Sequence, residues 1–377
     1  MDVDSSLGGL RVESGSTPEL VAVVVGLGIG TGGEAEFAGA GSIVLNQMLT
    51  SSDAYVSRSD VDVAGDVTIK ASDDPKLDVG AGGVAGMAKG TAVGAAVVLN
   101  SIVSADGQVA GGIHAYVDDS DITTTGGSVT VEADSQTEIV SVAVGAAVVP
   151  IGLGWAGAGS VATNTIAKTI DAKIRGNADV DAGADIRVVA HDNSGIHVGT
   201  GGIALAGDLA IGAAVALNNL LNEVTAGISS SDIDTTPGSG GGLEVSATEK
   251  TDIVAITVGG AAGDEFALGG SIAENLIENS IQAYVNDATT VDVEGDVIII
   301  ADDQSEDKDA LDLGYGHGLK TGDGVVYDNH GGTSIRTLNP DGTDGPRLTD
   351  QAVYYVIVDE FNPAEVRLAA TEEDAND

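Results

Sequence analysis

The chain of 377 residues carries 58 acidic against 15 basic residues, a formal net charge of -43, and no cysteine. That balance excludes a non-specific nucleic-acid binder, which needs clustered Lys and Arg against phosphates, and it opposes an anionic membrane surface. The missing cysteines exclude disulfides and thiolate metal sites. Carboxylates this dense repel one another across a Debye length of about 8 to 10 Å, so bound divalent cations or a saline medium are expected.

The opening, MDVDSSLGGL, lacks the basic region and apolar core of a signal peptide. Residues 8–22, GGLRVESGSTPELVA, match residues 241–255, GGLEVSATEKTDIVA, at a constant offset of 233. Residues 1–19 therefore read as a partial repeat, and the chain as a segment of a longer array. Five units follow, about 20–76, 77–138, 139–195, 196–252 and 253–307. Each carries an apolar alternating run, a Gly-rich corner, a phrase ending in Asn, a short strand of the AlaTyrVal type, an Asp-containing turn, and a GlyAspValThrIle phrase. The asparagines Asn46, Asn100, Asn164, Asn218 and Asn275 are 54, 64, 54 and 57 positions apart. The long interval holds seven extra residues between Asn100 and Ala115, which leaves a period near 57.

Alternation bounded by Gly, Asp and Ser is the strand signal, and no segment sustains a 3.6-residue period. The predicted fold is all-β: an elongated parallel β-solenoid of about five units, with roughly three coils of some 19 residues in each. A stacked antiparallel β array is the alternative. Residues 139–167 contain no charge over 29 positions, long enough to span a membrane. Their Gly, Ala and Val content, and the charges Glu34, Lys89, Asp208 and Asp264 in the equivalent stretches, argue for strands instead.

The asparagines are expected to point inward. Positions two before them are Val44, Val98, Ala162, Ala216 and Ala273, and two after them Met48, Ile102, Ile166, Leu220 and Ile277, while the opposite face admits Gln47, Thr163 and Glu274. A lone buried amide is costly, whereas stacked copies satisfy one another as a structural ladder.

Beyond residue 307 the repeat stops, and Tyr315, Tyr327, Tyr354, Tyr355 and Phe361 appear together with three of the seven prolines. Residues 308–377 read as a small β module with hairpin turns, cut short. The series IVSVAVGAAV, GAGSVATNTI, AYV, GDVTI resembles the β-strand repeats of giant bacterial surface and secreted proteins, the filamentous-haemagglutinin-like and leukotoxin-like filamentous adhesins. The tail HGLKTGDGVVYD, GGTSI, YYVIV, VRLAAT is similar to modules interspersed among such repeats. The resemblance implies an extracellular, elongated, non-enzymatic repeat region at a bacterial surface.

Candidate chemistry is sparse. The acids Asp73, Asp74, Asp118, Asp119, Asp302 and Asp303, and Asp341 with Asp344 in AsnProAspGlyThrAspGly, are candidate Ca²⁺ ligands because hard cations take oxygen ligands on turns. The competing and favoured reading is a solvated acidic edge for the first six and a plain turn for the last two. Tyr55, Tyr116 and Tyr284 share one outward register position, a candidate surface contact for glycan or protein, interrupted by Lys173 and Gly227; packing filler is the favoured reading. The histidines, among them His191 and His197, which could approach across a turn, form no repeating ligand spacing. The expected function is a non-catalytic, rigid acidic spacer of an extracellular adhesin or filament, with Ca²⁺ the one cofactor considered. Its expected partners are further repeats or neighbouring copies end to end, or a surface glycan or protein, with no nucleic acid and no membrane insertion. The alternative is a carbohydrate-active β-helix enzyme, a polysaccharide lyase or hydrolase, which would need a cleft combining basic, acidic and aromatic groups.

Overall fold

The computed structural model describes residues 2–5, 8–31, 36–104, 112–150, 154–288, 290–304, 311–312, 320–321, 324–326, 336–338, 344–349, 351–358 and 365–369. Among them there are strands and no helix. The chain divides into two units, Met1–Asp303 and Gln304–Asp377.

In the first unit each repeat contributes to four parallel sheets. From residue 139 the chain completes the strand Val129–Val148, forms Gly154–Ala167, Thr169–Arg175 and Asp179–Ala182, and enters Ile186–Leu205. We call the corresponding sheets the long, asparagine, tyrosine and aspartate sheets. Each strand pairs with its own counterpart one repeat away: Asn164 with Asn100 and Asn218, Ala172 with Ala115 and Ala226, Ile139 with Leu77 and Ile196. The hydrogen-bonded neighbour is therefore a whole repeat distant, and the expected subdivision into three coils of about 19 residues is overturned. The Gly-rich corners and the Asp turns send the chain into the next sheet rather than back against itself. An antiparallel array is overturned for this unit too, since its described strand pairs are parallel. Six stacked strands in the aspartate sheet span five intervals, about 24 Å along the stacking direction.

Residues 105–111, within the loop that carries the insertion, lie outside the described residues, and register is kept on both sides of it, Asn100 against Asn164 and Ala115 against Ala172. The long strands run 20 residues without a break where the sequence has Thr137, Ser194 or Thr251. In the first two rungs Pro18 and Pro75, which cannot donate to a ladder, divide them into Leu10–Ser16 with Glu19–Gly30 and Val67–Asp73 with Lys76–Met87.

Three apolar clusters fill the interior. The largest joins the tyrosine and aspartate sheets to the first halves of the long strands through Ile113, Ile170, Val180 and Ile186. A second, around Ile102, Ile139, Ile166 and Leu220, lies between the second halves of the long strands and the asparagine sheet. The third is almost entirely alanine. Alanine suffices there because the two sheets close to backbone contact at an in-register glycine column, Gly26, Gly83, Gly145, Gly202 and Gly259. A Cβ on Gly145 would stand 2.2 Å from the carbonyl oxygen of Gly159, and one on Gly259 1.9 Å from that of Gly270. The charge-free run 139–167 thus forms parts of two strands, with Val142, Val144, Val148 and Trp155 exposed outside them. No helix among the described residues is long and apolar enough to cross a membrane.

The second unit is antiparallel where described. Val353–Val358 pairs with Gly324–Val326 and Glu365–Ala369, Leu311–Asp312 extends that sheet, and Arg336–Leu338 pairs with Asp344–Arg347.

Candidate functional site

The asparagine phrase builds an interior ladder. Asn46 Nδ2 donates to Asn100 Oδ1 at 3.0 Å, Asn100 to Asn164 at 2.8 Å, Asn164 to Asn218 at 2.9 Å and Asn218 to Asn275 at 2.8 Å. Each interior amide donates to one neighbour and accepts from the other, so a polar group repeated at one register position satisfies itself inside an apolar row.

A second interior column separates the two larger apolar clusters. At one inward position of the long sheet, Asp73, Ser135, Asp192, Glu249 and Asp303 follow in register. Opposite them stand residues four beyond the ladder asparagines, among them Thr50, Lys168, Asn222 and Asn279. Lys168 Nζ donates to Asp73 Oδ2 and Thr50 Oγ1, and both charged side chains are fully buried. Asp192, also fully buried, accepts from Asn222 Nδ2 at 2.7 Å and Ser194 Oγ at 2.9 Å. Burial pushes its carboxyl up, against the hydrogen bonds from Ser135, Ser194 and Asn222. Glu249 is fully buried and neither carboxylate oxygen has a hydrogen-bond partner. Burial first, then the charges of Asp192 and Asp303, raise its pKa to about 8. Sequence reading placed Asp73 and Asp303 on a solvated acidic edge and missed Glu249 and the burial of the column, because these acids lie in phrases that otherwise alternate cleanly. The signal it left was an acid or Ser at the seventh position of each GlyAspValThrIle-type strand, as in Val67–Asp73.

Outside, the tyrosine sheet brings Tyr55, Tyr116, Lys173, Gly227 and Tyr284 into one row. Tyr55 and Tyr116 stack with centroids 4.9 Å apart, and the Arg175 guanidinium lies 4.6 Å from the Tyr116 centroid. Tyr284 reaches over Gly227, where a Cβ would meet its ring at 2.4 Å. Beside the stacked pair, Asp171 joins His114 Nδ1 at 3.3 Å and Lys173 Nζ at 2.9 Å. Burial pushes the Asp171 carboxyl up, but the bonds and charges of His114 and Lys173 together outweigh it and hold it low. Asp53, His114, Tyr116, Asp171, Lys173 and Arg175 line a shallow groove in which acidic, basic and aromatic groups meet.

The candidate cation ligands are dispersed. Asp73 is inside and paired with Lys168, whereas Asp74 is exposed. Asp118 pairs with Arg175 at 3.2 Å, and Asp119 forms a left-handed corner with φ 50°, as do Arg58, Asn177, Ser230 and Asp287 in the other rungs. Asp302 and Asp303 close the strand Val297–Asp303, Asp344 opens Asp344–Arg347, and Asp341 lies outside the described residues. Among the described residues no three His, Cys, Asp or Glu side chains are placed together to hold a metal ion. His191 and His197 lie on one continuous strand, not across a turn, bonded to Thr248 at 2.9 Å and Asp252 at 2.9 Å.

The densest charge is instead on the aspartate sheet. Asp60, Asp121, Asp179 and Asp232 form one column, and Asp62, Asp181, Asp234 and Asp292 a second that is interrupted by Thr123. Neighbours in a column are about 4.8 Å apart and the columns about 6.6 Å. Partial burial, then mutual repulsion, raises the Asp179 and Asp234 carboxyls. Sequence reading overlooked this lattice because each Asp-x-Asp looked like a turn, and only the register turns isolated pairs into columns. No family model, no curated protein and no solved structure matches the chain.

Proposed function

We propose that the chain is a non-catalytic structural and adhesive repeat segment of a large extracellular adhesin or filament of the filamentous-haemagglutinin-like kind, in which successive repeats wind as one-repeat turns of a parallel β-solenoid. The observation that carries this reading is the unbroken parallel register of equivalent residues, with the same five asparagines bonded rung to rung. A stack of this kind transmits length and stiffness with little chemistry, and its aspartate columns keep it soluble and oppose lateral aggregation. Its partners are further repeats or copies of the chain end to end, met through exposed strand edges such as Phe266–Ile277, whose residues are all exposed.

The test is to duplicate residues 139–195 in place and measure small-angle scattering. Each inserted repeat should lengthen the particle by about 4.8 Å at constant cross-section. Growth of the cross-section instead, or loss of parallel-β spectroscopic signature, would remove the solenoid and the spacer together.

A second reading draws on the groove beside Tyr116, where Lys173, Arg175, His114 and Asp171 could engage an acidic polysaccharide, as a glycan-binding patch or as the cleft of a lyase or hydrolase. Depolymerisation of an acidic polysaccharide that disappears in His114→Ala would put the enzymatic reading first. Retention of an intact glycan without cleavage would assign the groove to adhesion.

A further inference from the structure

We propose that the interior acid column holds an oxygen-ligated divalent cation between Asp192 and Glu249, with Asp303 at the approach to it. The inference rests on the first unit's geometry and is independent of the spacer reading.

The column poses the same electrostatic problem twice and resolves it once. At Asp73 a buried carboxylate is met by the buried ammonium of Lys168. One repeat beyond Lys168 stands Asn222, and beyond that Asn279, which carry no charge. Yet Asp192 and Glu249 are successive acids in register, and Asp303 follows. Their outward neighbours do not help. His191 is engaged with Thr248, and Lys250 is exposed on the opposite face of its strand.

Asp192 is held in place by Asn222 and Ser194, as an oriented ligand should be. Glu249 is the complementary case, a fully buried side chain with both oxygens unpartnered. An unpaired buried carboxylate does not persist as the bare anion: it either takes up a proton or meets a compensating cation. Adjacent parallel strands lie about 4.8 Å apart. That is close to twice the 2.3 to 2.6 Å of a Ca²⁺–oxygen bond, so one such ion fits between carboxylates on neighbouring rungs. Two carboxylates neutralise a divalent ion; the amide oxygens of Asn222 and Asn279 are taken by the backbone N–H groups of Lys168 and Asn222, so water completes the oxygen shell that Ca²⁺ accepts. Asp303, exposed at the last rung, provides the way in.

The experiment uses the whole chain, stripped with a chelator and titrated with Ca²⁺ in about 1 M KCl, where the Debye length of about 3 Å suppresses diffuse association with surface aspartates. Calorimetry should find a single saturable site and thermal melting a Ca²⁺-dependent rise in Tm. Glu249→Gln should lose both, Asp192→Asn should weaken both, and Asp181→Asn, on the aspartate sheet, should keep both. Should Glu249→Gln fail to fold, the Asp192→Asn titration decides. Three results would overturn the proposal: no Ca²⁺ dependence in the wild type with Glu249→Gln equally stable, which means that Glu249 is simply protonated; a site that survives in both column variants; or one that is lost in Asp181→Asn.

Discussion

Lys168 reaches past the neighbouring rung to place its ammonium on Asp73, a residue 95 positions earlier, and neither side chain is exposed. The two belong to different repeats, so the pair ties non-adjacent rungs together where the ladder of backbone bonds ties only adjacent ones. Removing one partner leaves the other charged in a dry interior. Lys168→Met should cost about 3 to 5 kcal/mol in urea denaturation, and Lys168→Met with Asp73→Asn should recover much of it. A single-variant cost below about 1 kcal/mol would show that water reaches the column.

Asn164 occupies the middle of the ladder and is fully buried, bonded on both sides. Asn164→Ala strands the Asn100 donor and the Asn218 acceptor together, so a loss of about 1 to 3 kcal/mol is expected. Asn46, at the first rung, makes one ladder bond and is next to solvent. Asn46→Ala should cost clearly less, and equal costs at the two positions would mean that the ladder is not what stabilises them.

The period, the strand content and the inward face of the asparagines were legible because each is written several times over: alternation of Val44 and Met48 around Asn46 recurs around four other asparagines. The length of a coil was not legible. Phrases of about 19 residues separated by Gly or Asp look alike whether the chain turns back on itself or proceeds to another sheet, and only hydrogen-bond partners distinguish them. The acid column was hidden for a related reason. Asp73 beside Asp74 reads as a polar strand end, and its burial is decided by the apolar clusters on either side, which residues more than 50 positions away assemble.

Asp179 lies directly across from Asp121 and Asp232 on an exposed sheet face. Its carboxyl is raised, first by partial burial and then by those charges, so the folded state prefers the protonated form. The charged column therefore opposes folding at neutral pH, and the opposition is relieved as pH falls through the raised value toward the unfolded one near 3.9. Asp171 has the reverse sign: held low by His114 and Lys173, it contributes stability above the unfolded value and loses it as pH falls through its own. Asp179→Asn should raise stability at pH 7 by about 0.2 to 1 kcal/mol, with the gain shrinking in about 1 M salt. Asp171→Asn should lower it. Denaturation curves at pH 7 and at about pH 4, each at low and at about 1 M salt, check both signs, and a loss of stability in Asp179→Asn would argue that the columns bind cations rather than repel.

Gly145 and Gly159 face each other where the long and asparagine sheets touch, and they differ sharply in what they tolerate. A Cβ on Gly145 points at the carbonyl of Gly159 from 2.2 Å, a clash with backbone that no side-chain rotation relieves. A Cβ on Gly159 meets nothing within 4 Å. The neighbouring rungs make the same distinction, since glycine holds the Gly145 position at Gly83 and Gly202, while Ala95 and Ala213 stand beside Gly159 in register. Gly145→Ala should therefore destabilise by about 1 to 3 kcal/mol by forcing the sheets apart. Gly159→Ala should be neutral or stabilise by about 0.4 to 1 kcal/mol, through the narrower unfolded ensemble. Urea melts of the two variants decide the matter, and a Gly145→Ala protein as stable as the parent would show that the sheets are not in backbone contact at this column.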